Sequence, residues 1–270
     1  MGPKLSIAIC SYRNPELLRL CIESVYRHVR GFDFEVLVTD SDTEESTRLV
    51  IRDFPQIVFQ PNTRNVGFPV LVNQSLERST GEYVFLINHD IILTEGSADA
   101  LLRFMVSHPD VGMVGPRQVN FNGSEQTSCF RFYRPWTIAY RRTLLGRLPI
   151  GKKHLDWFLM NDYDRDTSRS VDWIMGSAML VRREAMHAVG LMDTRFFLYM
   201  EDVDWCRRFW DAGWKVVHQP NVTVYHYHGK GSAKGGFLRS LFLNRLTWYH
   251  ISSAAKYFLK YLGKPLPKHQ

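Results

Sequence analysis

The chain has 270 residues, 45% hydrophobic and 13% aromatic, enough for one enzyme-sized unit with a sizeable core and unlike a disordered or low-complexity protein. It holds no run of 18 apolar residues, and Met1 to Arg13 lacks the charged-then-apolar order of a secretory signal, so a cytosolic protein is expected. The formal charge is +7, and the four cysteines (Cys10, Cys21, Cys129, Cys206) include no C-x-x-C pair, which argues against a zinc site or a disulfide framework.

In chain order, short Val-, Ile- and Phe-rich runs alternate with helical patterns, as in an α/β sheet protein. Leu5–Cys10 reads as a first strand. Asn14 then stands as an N-cap before Pro15, and Leu17, Leu18, Cys21, Ile22 and Val25 recur on one face, which predicts a helix over Pro15–Val29. Phe34–Thr39 reads as a second strand ending at Asp40, Ile57–Phe59 as a short third, Phe68–Arg78 as a helix and Tyr83–Ile87 as a fourth strand. A helix over Ser97–Ser107 and a strand over Val111–Val114 follow. Residues 131–170 mix Pro, Gly, charge and aromatics, the pattern of an irregular, mobile insertion with a basic patch at Arg141, Arg142, Arg147, Lys152 and Lys153. Residues 212–270 hold nine Lys/Arg and no Asp or Glu, against 25 basic and 27 acidic groups elsewhere. There the basic residues alternate with Leu246, Trp248, Tyr249, Tyr257, Phe258 and Tyr261, which predicts amphipathic helices whose basic face is solvated or rests on an anionic membrane surface. No RNA-binding module accompanies this charge, and nucleic acid is not an expected partner.

The polar residues that end the strands carry the chemistry. In open α/β sheets, ligands collect at the carboxyl ends of strands. Ser11, Tyr12 and Arg13 follow the first strand, Asp40 and Asp42 the second, and Asn88, His89 and Asp90 the fourth. Asn88 and Asp90, two apart on an extended segment, point their oxygens to one side, which suits a hard divalent cation shared with ligand phosphates; the same pair also serves to cap a turn. "SYRNPELL" has no glycine, which excludes both the dinucleotide fingerprint and the P-loop after the first strand. In "YMEDVDWCRRFW", Glu201, Asp202 and Asp204 crowd the first turn of a helix. Acids there favour the helix macrodipole, and crowded beside apolar surface they also raise one another's proton affinity, as a general base requires. "VYHYHGKGS" places His226 and His228 on one side of a strand end, as structural residues or as metal or phosphate contacts.

Four stretches in register, from about Leu5 to Ser232, resemble the inverting nucleotide-sugar glycosyltransferases of family 2: "SIAICSYRNPELLRLCIESV", "EVLVTDSDTEEST", "NTRNVGFPVLVNQSLERSTGEYVFLINHDIIL" and "VDWIMGSAMLVRREAMHAVGLMDTRFFLYMEDVDWCRRFWDAGWKVV". The last is most similar to the rhamnosyltransferase branch. The resemblance implies a GT-A fold, a Rossmann-like, mostly parallel central sheet flanked by helices, over residues 1–232, with a nucleotide-binding half (1–115), an acceptor-binding half (116–232) and a basic helical extension (233–270). It implies that Ser11, Tyr12 and Asp40 meet base and ribose, that Arg13 lies near the diphosphate, and that Asn65, Gly67, Phe68 and Asn73 shape the nucleotide pocket. Asp90 becomes a metal ligand, with Asn88 where the family carries its first acid and His89 beside it. One fewer charge weakens the expected Mg2+ or Mn2+ site. His226 or His228 would complete it. Trp173, Gly176 and Ser177 match the segment beneath the donor sugar, although Trp173 fits ordinary core equally well. Asp202 becomes the general base and Glu201 orients the acceptor. The implied reaction moves L-rhamnose from dTDP-rhamnose, or another sugar from a dTDP- or UDP-sugar donor, to a saccharide or polyprenol-diphosphate-linked acceptor in surface polysaccharide synthesis. It would run at the inner face of the cell membrane, reached through the basic tail. A noncatalytic nucleotide-sugar-binding module would need Asp40 and the Asn65-x-Gly67 segment but not the Glu201-Asp202 pair.

Overall fold

The computed structural model describes residues 4–164, 166–227 and 245–267. His228, the glycine-rich stretch at 229–232, and Lys230, Lys234, Arg239 and Lys268 lie outside the described residues. The first half is built as strand-helix repeats: β1 (Leu5–Tyr12), α1 (Pro15–His28), β2 (Phe34–Ser41), α2 (Glu45–Arg52), β3 (Val58–Pro61), α3 (Phe68–Arg78) and β4 (Tyr83–Asn88). β1 is buried along all but its last residue, as a strand covered on both faces must be. Asn14 caps α1 by accepting from the Leu17 N–H at 3.1 Å, and Pro15 occupies the first turn, where a missing N–H costs nothing.

Next come β5 (Ile91–Leu93), α4 (Ser97–Ser107), β6 (Val111–Val119), β7 (Glu125–Gln126) and β8 (Cys129–Phe130). Beyond them lie α5 (Pro135–Arg142), α6 (Pro149–Phe158), β9 (Arg169–Ser170), β10 (Trp173–Ile174), β11 (Ala178–Arg182), α7 (Arg183–Val189), α8 (Glu201–Asp211), β12 (Lys215–His226) and α9 (Arg245–Lys260). The main sheet runs β3-β2-β1-β4-β11-β6-β12-β5. β3, β2, β1 and β4 are parallel, β11 inserts antiparallel between β4 and β6, and β12 pairs parallel with β6. Arg182 locks that insertion from within, donating to Val111 O at 3.0 Å, Met105 O at 2.6 Å and the Tyr83 hydroxyl at 2.9 Å.

One face of the sheet packs on α1 and α4 through Leu18, Ile22, Val25, Leu101 and Met105. The other packs on α3, α8 and an aromatic cluster that includes Phe130, Phe158, Trp173 and Trp205. All four cysteines are buried and unbridged.

Three features differ from the sequence reading. α2 has no counterpart in the sequence reading, since it is only eight residues long, mostly polar, without a side-chain cap, and buries only Thr47 and Val50. Residues 135–158 fold into two helices joined by a 3-10 turn (Leu144–Arg147), because Pro135 and Pro149 each start a helix rather than break one. The expected basic face of the C-terminal helix is partly turned inward: Lys260 pairs with Asp204 at 2.6 Å and Asp193 at 2.7 Å, and Lys256 donates to Arg195 O at 2.8 Å.

Candidate active site

The three strand-end clusters meet on one edge. Ser11 lies opposite Asp40 in the β1-β2 register, Cys10 lies opposite Asn88, and the His89 N–H donates to Cys10 O at 3.0 Å. Two strand spacings separate Asp40 from Asn88, about 10 Å, room for one nucleotide-sized ligand across the strand ends. Tyr12 and Arg13 form the exposed rim, where Arg13 pairs with Asp42 and, at 3.7 Å, with Glu44. Asp40 is fully buried, and neither carboxylate oxygen makes a hydrogen bond among the described residues. Burial raises its pKa, opposed by the nearby Ser11 and Thr43 hydroxyls.

At the end of β4, the Asn88 and Asp90 Oδ1 atoms are likewise buried without a hydrogen bond. His226, delivered by the last residue of β12, places Nε2 3.5 Å from Asp90 Oδ1. Burial opposes ionisation of Asp90, but the His226 and His89 imidazoles hold its pKa below the ordinary value. Gln126 orients His226 twice over: its Nε2 donates to His226 O and its Oε1 lies against Nδ1, each at 2.8 Å. That contact makes Nδ1 the donor to Gln126 and leaves Nε2 as the ring atom that faces Asp90. Two hard oxygens buried without a hydrogen bond, with one imidazole nitrogen beside them, fit a divalent cation that a ligand's phosphates help to hold. Among the described residues, no group of three or more His, Cys, Asp or Glu side chains is arranged to hold a metal alone.

The third wall is the start of α8. Glu201 and Asp202 stand in its first turn, after Tyr199 and Met200 at φ of 69° and 68°. Of five non-glycine residues with positive φ among those described, Arg13, Asp42, Tyr199 and Met200 border this cleft, so backbone strain is concentrated where ligand would sit. Asp202 Oδ2 accepts from the Gly176 N–H at 3.2 Å and Oδ1 from the Val203 N–H at 2.9 Å. The next residue, Ser177, accepts the Asn88 N–H at 2.9 Å through its carbonyl, so two residues of chain link the α8 acid to the β4 cluster. A Cβ at Gly176 would lie 3.3 Å from Phe68 and 3.4 Å from the Asp202 Cβ, which is why this position admits no larger side chain without displacement. Burial, then the Asp202 charge, pushes Glu201 well above the ordinary carboxylate range, and its Oε2 has no hydrogen bond. Burial raises Asp202 to about 6, against the stabilising Gly176 and Val203 N–H groups.

Other anticipated residues act at one remove. Asn65 Oδ1 accepts from the Gly67 N–H at 3.0 Å, and Gly67 (φ 84°) lets Phe197 O approach within 2.7 Å of where a Cβ would stand. Asn73 clamps the Met192 backbone with two hydrogen bonds, at 2.8 and 2.9 Å, so it shapes the cleft from behind. Trp173 is 5% exposed, stacks on Phe130 and donates its indole N–H to Arg131 O at 2.8 Å, which accounts for it as packing. Gln126 has no motif around it that marks it in the sequence, whereas Ser177, matched to the segment beneath the donor sugar, acts here through its backbone carbonyl.

Residues 3–249 match the family model described as "Glycosyltransferase like family 2". N-acetylglucosaminyl-diphospho-decaprenol L-rhamnosyltransferase of Mycobacterium tuberculosis is 28% identical over 228 residues, covering 74% of this chain and 68% of its own. Rhamnosyltransferase WbbL of Escherichia coli is 33% identical over 90 residues, 33% of this chain and 31% of its own. The mannosyltransferase PcManGT from Pyrobaculum calidifontis, solved in complex with GDP-Man and Mn2+, superposes with a TM-score of 0.58 at 16% identity over 98% of this chain and 72% of its own. The fold is that of the GT-A glycosyltransferases, and the chain belongs to the family 2 glycosyltransferases.

Proposed function

We propose that this glycosyltransferase transfers L-rhamnose from dTDP-rhamnose, with inversion, to a hydroxyl of a saccharide or polyprenol-diphosphate-linked acceptor in cell-surface polysaccharide synthesis. The observation that carries the reading is Asp202: a carboxylate raised to about 6, two residues of chain from the Asn88-Asp90-His226 cluster, beside a Glu201 with an orphaned oxygen. The similarity to a rhamnosyltransferase acting on a decaprenol-linked acceptor supports the sugar and the acceptor class.

Asp202 takes the proton of the acceptor hydroxyl as that oxygen attacks the anomeric carbon, and the bond from that carbon to the diphosphate breaks on the opposite face. A base with a pKa near the working pH holds a useful ionised fraction while remaining basic enough to accept the proton. Glu201, held neutral by burial and by its charged neighbour, donates a hydrogen bond that orients the acceptor. Asp40 and Ser11 receive the base and ribose. Asn88, Asp90 and His226 would hold Mg2+ or Mn2+, which when bound neutralises charge on the departing diphosphate. Charge transfer needs that compensation in a buried site.

Turnover of dTDP-rhamnose by Asp202→Asn is expected to fall by about a hundred- to ten-thousand-fold with donor binding retained. Normal turnover in this variant would remove Asp202 from the reaction, and an axial/equatorial outcome by NMR that retains the donor configuration would exclude single displacement.

A further inference from the structure

The C-terminal helix carries apolar residues on its outer side as well as its inner one. Thr247, His250, Ser253 and Tyr257 face the body, and Ser253 Oγ donates to Leu198 O at 2.9 Å. Its outward stripe is apolar: Trp248, Ile251, Ala255 and Leu259 recur every three or four residues and Leu262 continues the line, with Leu259 and Leu262 72% and 78% exposed. A second exposed apolar crest runs along α5, the 3-10 turn and α6, made by Trp136, Leu144, Leu145, Leu148 and Ile150. Beneath them the two elements are tied together, Tyr133, leading into α5, meeting His250 of α9 edge-on at 6.5 Å with both rings buried. His250 also contacts Tyr199, next to the Glu201-Asp202 turn. Soluble monomers rarely leave this many large apolar side chains outward in one neighbourhood without a partner.

Charge selects the occupant. Residues 130–155 contain seven Lys/Arg and no Asp or Glu, and residues 245–267 contain four and none. Arg147, Lys152, Lys153, Arg245 and Lys264 are exposed around the apolar residues. A second copy docking through the same surface would bring two cationic patches face to face. An anionic lipid leaflet meets both requirements, its headgroups taking the basic rim and its acyl boundary the Trp, Leu and Ile side chains. None of the helices among the described residues is long and apolar enough to cross a membrane, so such contact is interfacial.

We infer that the outward stripe of α9 and the crest of α5 and α6 form one docking surface for an anionic lipid bilayer, with the Asp202 end of the cleft beside it. The surface deepens the proposed lipid-linked acceptor and for its purpose rests on that reading.

The test is flotation of the full chain with phosphatidylcholine vesicles, with and without phosphatidylglycerol, at low and high salt. The chain floats with the anionic vesicles, and brominated acyl chains quench its tryptophan fluorescence. The pairs Leu259→Ser/Leu262→Ser and Leu144→Ser/Ile150→Ser each lower the partition coefficient on the order of tenfold or more, while melting and vesicle-free hydrolysis of dTDP-rhamnose stay at the parent level. The surface is overturned if the chain stays below the anionic vesicles at low salt. It is equally overturned if binding vanishes in high salt and ignores both serine pairs, or if sedimentation reveals a dimer that those pairs dissociate. A chain that floats yet turns over no nucleotide sugar refutes the proposed reaction and leaves the surface standing; one that glycosylates a short water-soluble acceptor but never floats does the reverse.

Discussion

Asp204 and Asp202 sit two residues apart on α8, and the fold treats them in opposite ways. Asp204 is fully buried and saturated, receiving Arg208 Nε at 3.0 Å, Lys260 Nζ at 2.6 Å and the Tyr261 hydroxyl at 2.9 Å. Asp193 is similar, held well below the ordinary carboxylate range by Arg195 and Lys260. Across the cleft the pattern reverses. Both oxygens of Asp40 and one each of Asn88, Asp90 and Glu201 are buried with no hydrogen bond among the described residues. Folded proteins pair nearly all buried polar atoms, so a saturated carboxylate explains itself as structure and an orphaned one calls for a partner from solution. Residue type and sequence distance do not separate the two sets; missing hydrogen bonds mark Asp40, Asn88, Asp90 and Glu201, and Asp202, which accepts only two neutral backbone N–H groups and no cation, is set apart from Asp204 by its raised pKa.

The largest expected effect is the loss of turnover in Asp202→Asn, and its counterpart tests the other set. Asp204→Ala leaves Arg208 and Lys260 without their buried anion and is expected to cost about 3–5 kcal/mol of stability, read by urea melts. A loss under about 1 kcal/mol would show the clamp to be ornamental and dissolve the contrast. Next in size is a pH effect at Asp202. Its folded pKa, about 6, lies above the unfolded value of 3.8, so the native state retains a proton that the unfolded chain has already lost. Its contribution to stability is present below about pH 4 and lost as pH rises through about 6, a change on the order of 2–3 kcal/mol shared with coupled Glu201. Asp202→Asn should therefore melt higher than the parent at pH 8 and alike at pH 4, while parent turnover climbs with pH through about 6. Parallel melting curves at all pH values would refute the raised pKa. Tyr261→Phe removes one of three donors to Asp204 and is expected to cost about 1–2 kcal/mol, measured in the same melts.

The contrast also marks what could be read in the sequence. The boundaries of α3 and α4 follow from local pattern, and α1 from its Asn-Pro cap, because those signals lie within the segment itself. The cleft acids were legible for a related reason: "INHD" puts polar groups where an apolar strand has no use for them. Asn73 and Trp173 look no different from their neighbours, and their roles depend on Met192 and Arg131, 119 and 42 residues away. Nor does the stretch around Gln126 announce a contact with His226, 100 residues on. For the C-terminal helix the local sequence does not say that Lys260 turns toward Asp193 and Asp204 while Lys256 and Lys264 stay exposed, because both acids lie more than 50 residues away.

Asp40→Asn should have the smallest effect on stability and the most to say about the comparison. The amide conserves volume and removes a charge that burial disfavours and that the nearby Ser11 and Thr43 hydroxyls offset only in part. Melting at pH 7 is expected to stay within about 1 kcal/mol of the parent, or to rise, because nothing in the protein loses a partner. Affinity for the nucleoside diphosphate should drop about ten- to hundredfold, the worth of a hydrogen bond to a charged acceptor, as measured by titration calorimetry. A destabilisation as large as that of Asp204→Ala, with nucleotide affinity intact, would mean that Asp40 belongs with the saturated acids after all and that an orphaned oxygen is no guide to where ligand binds.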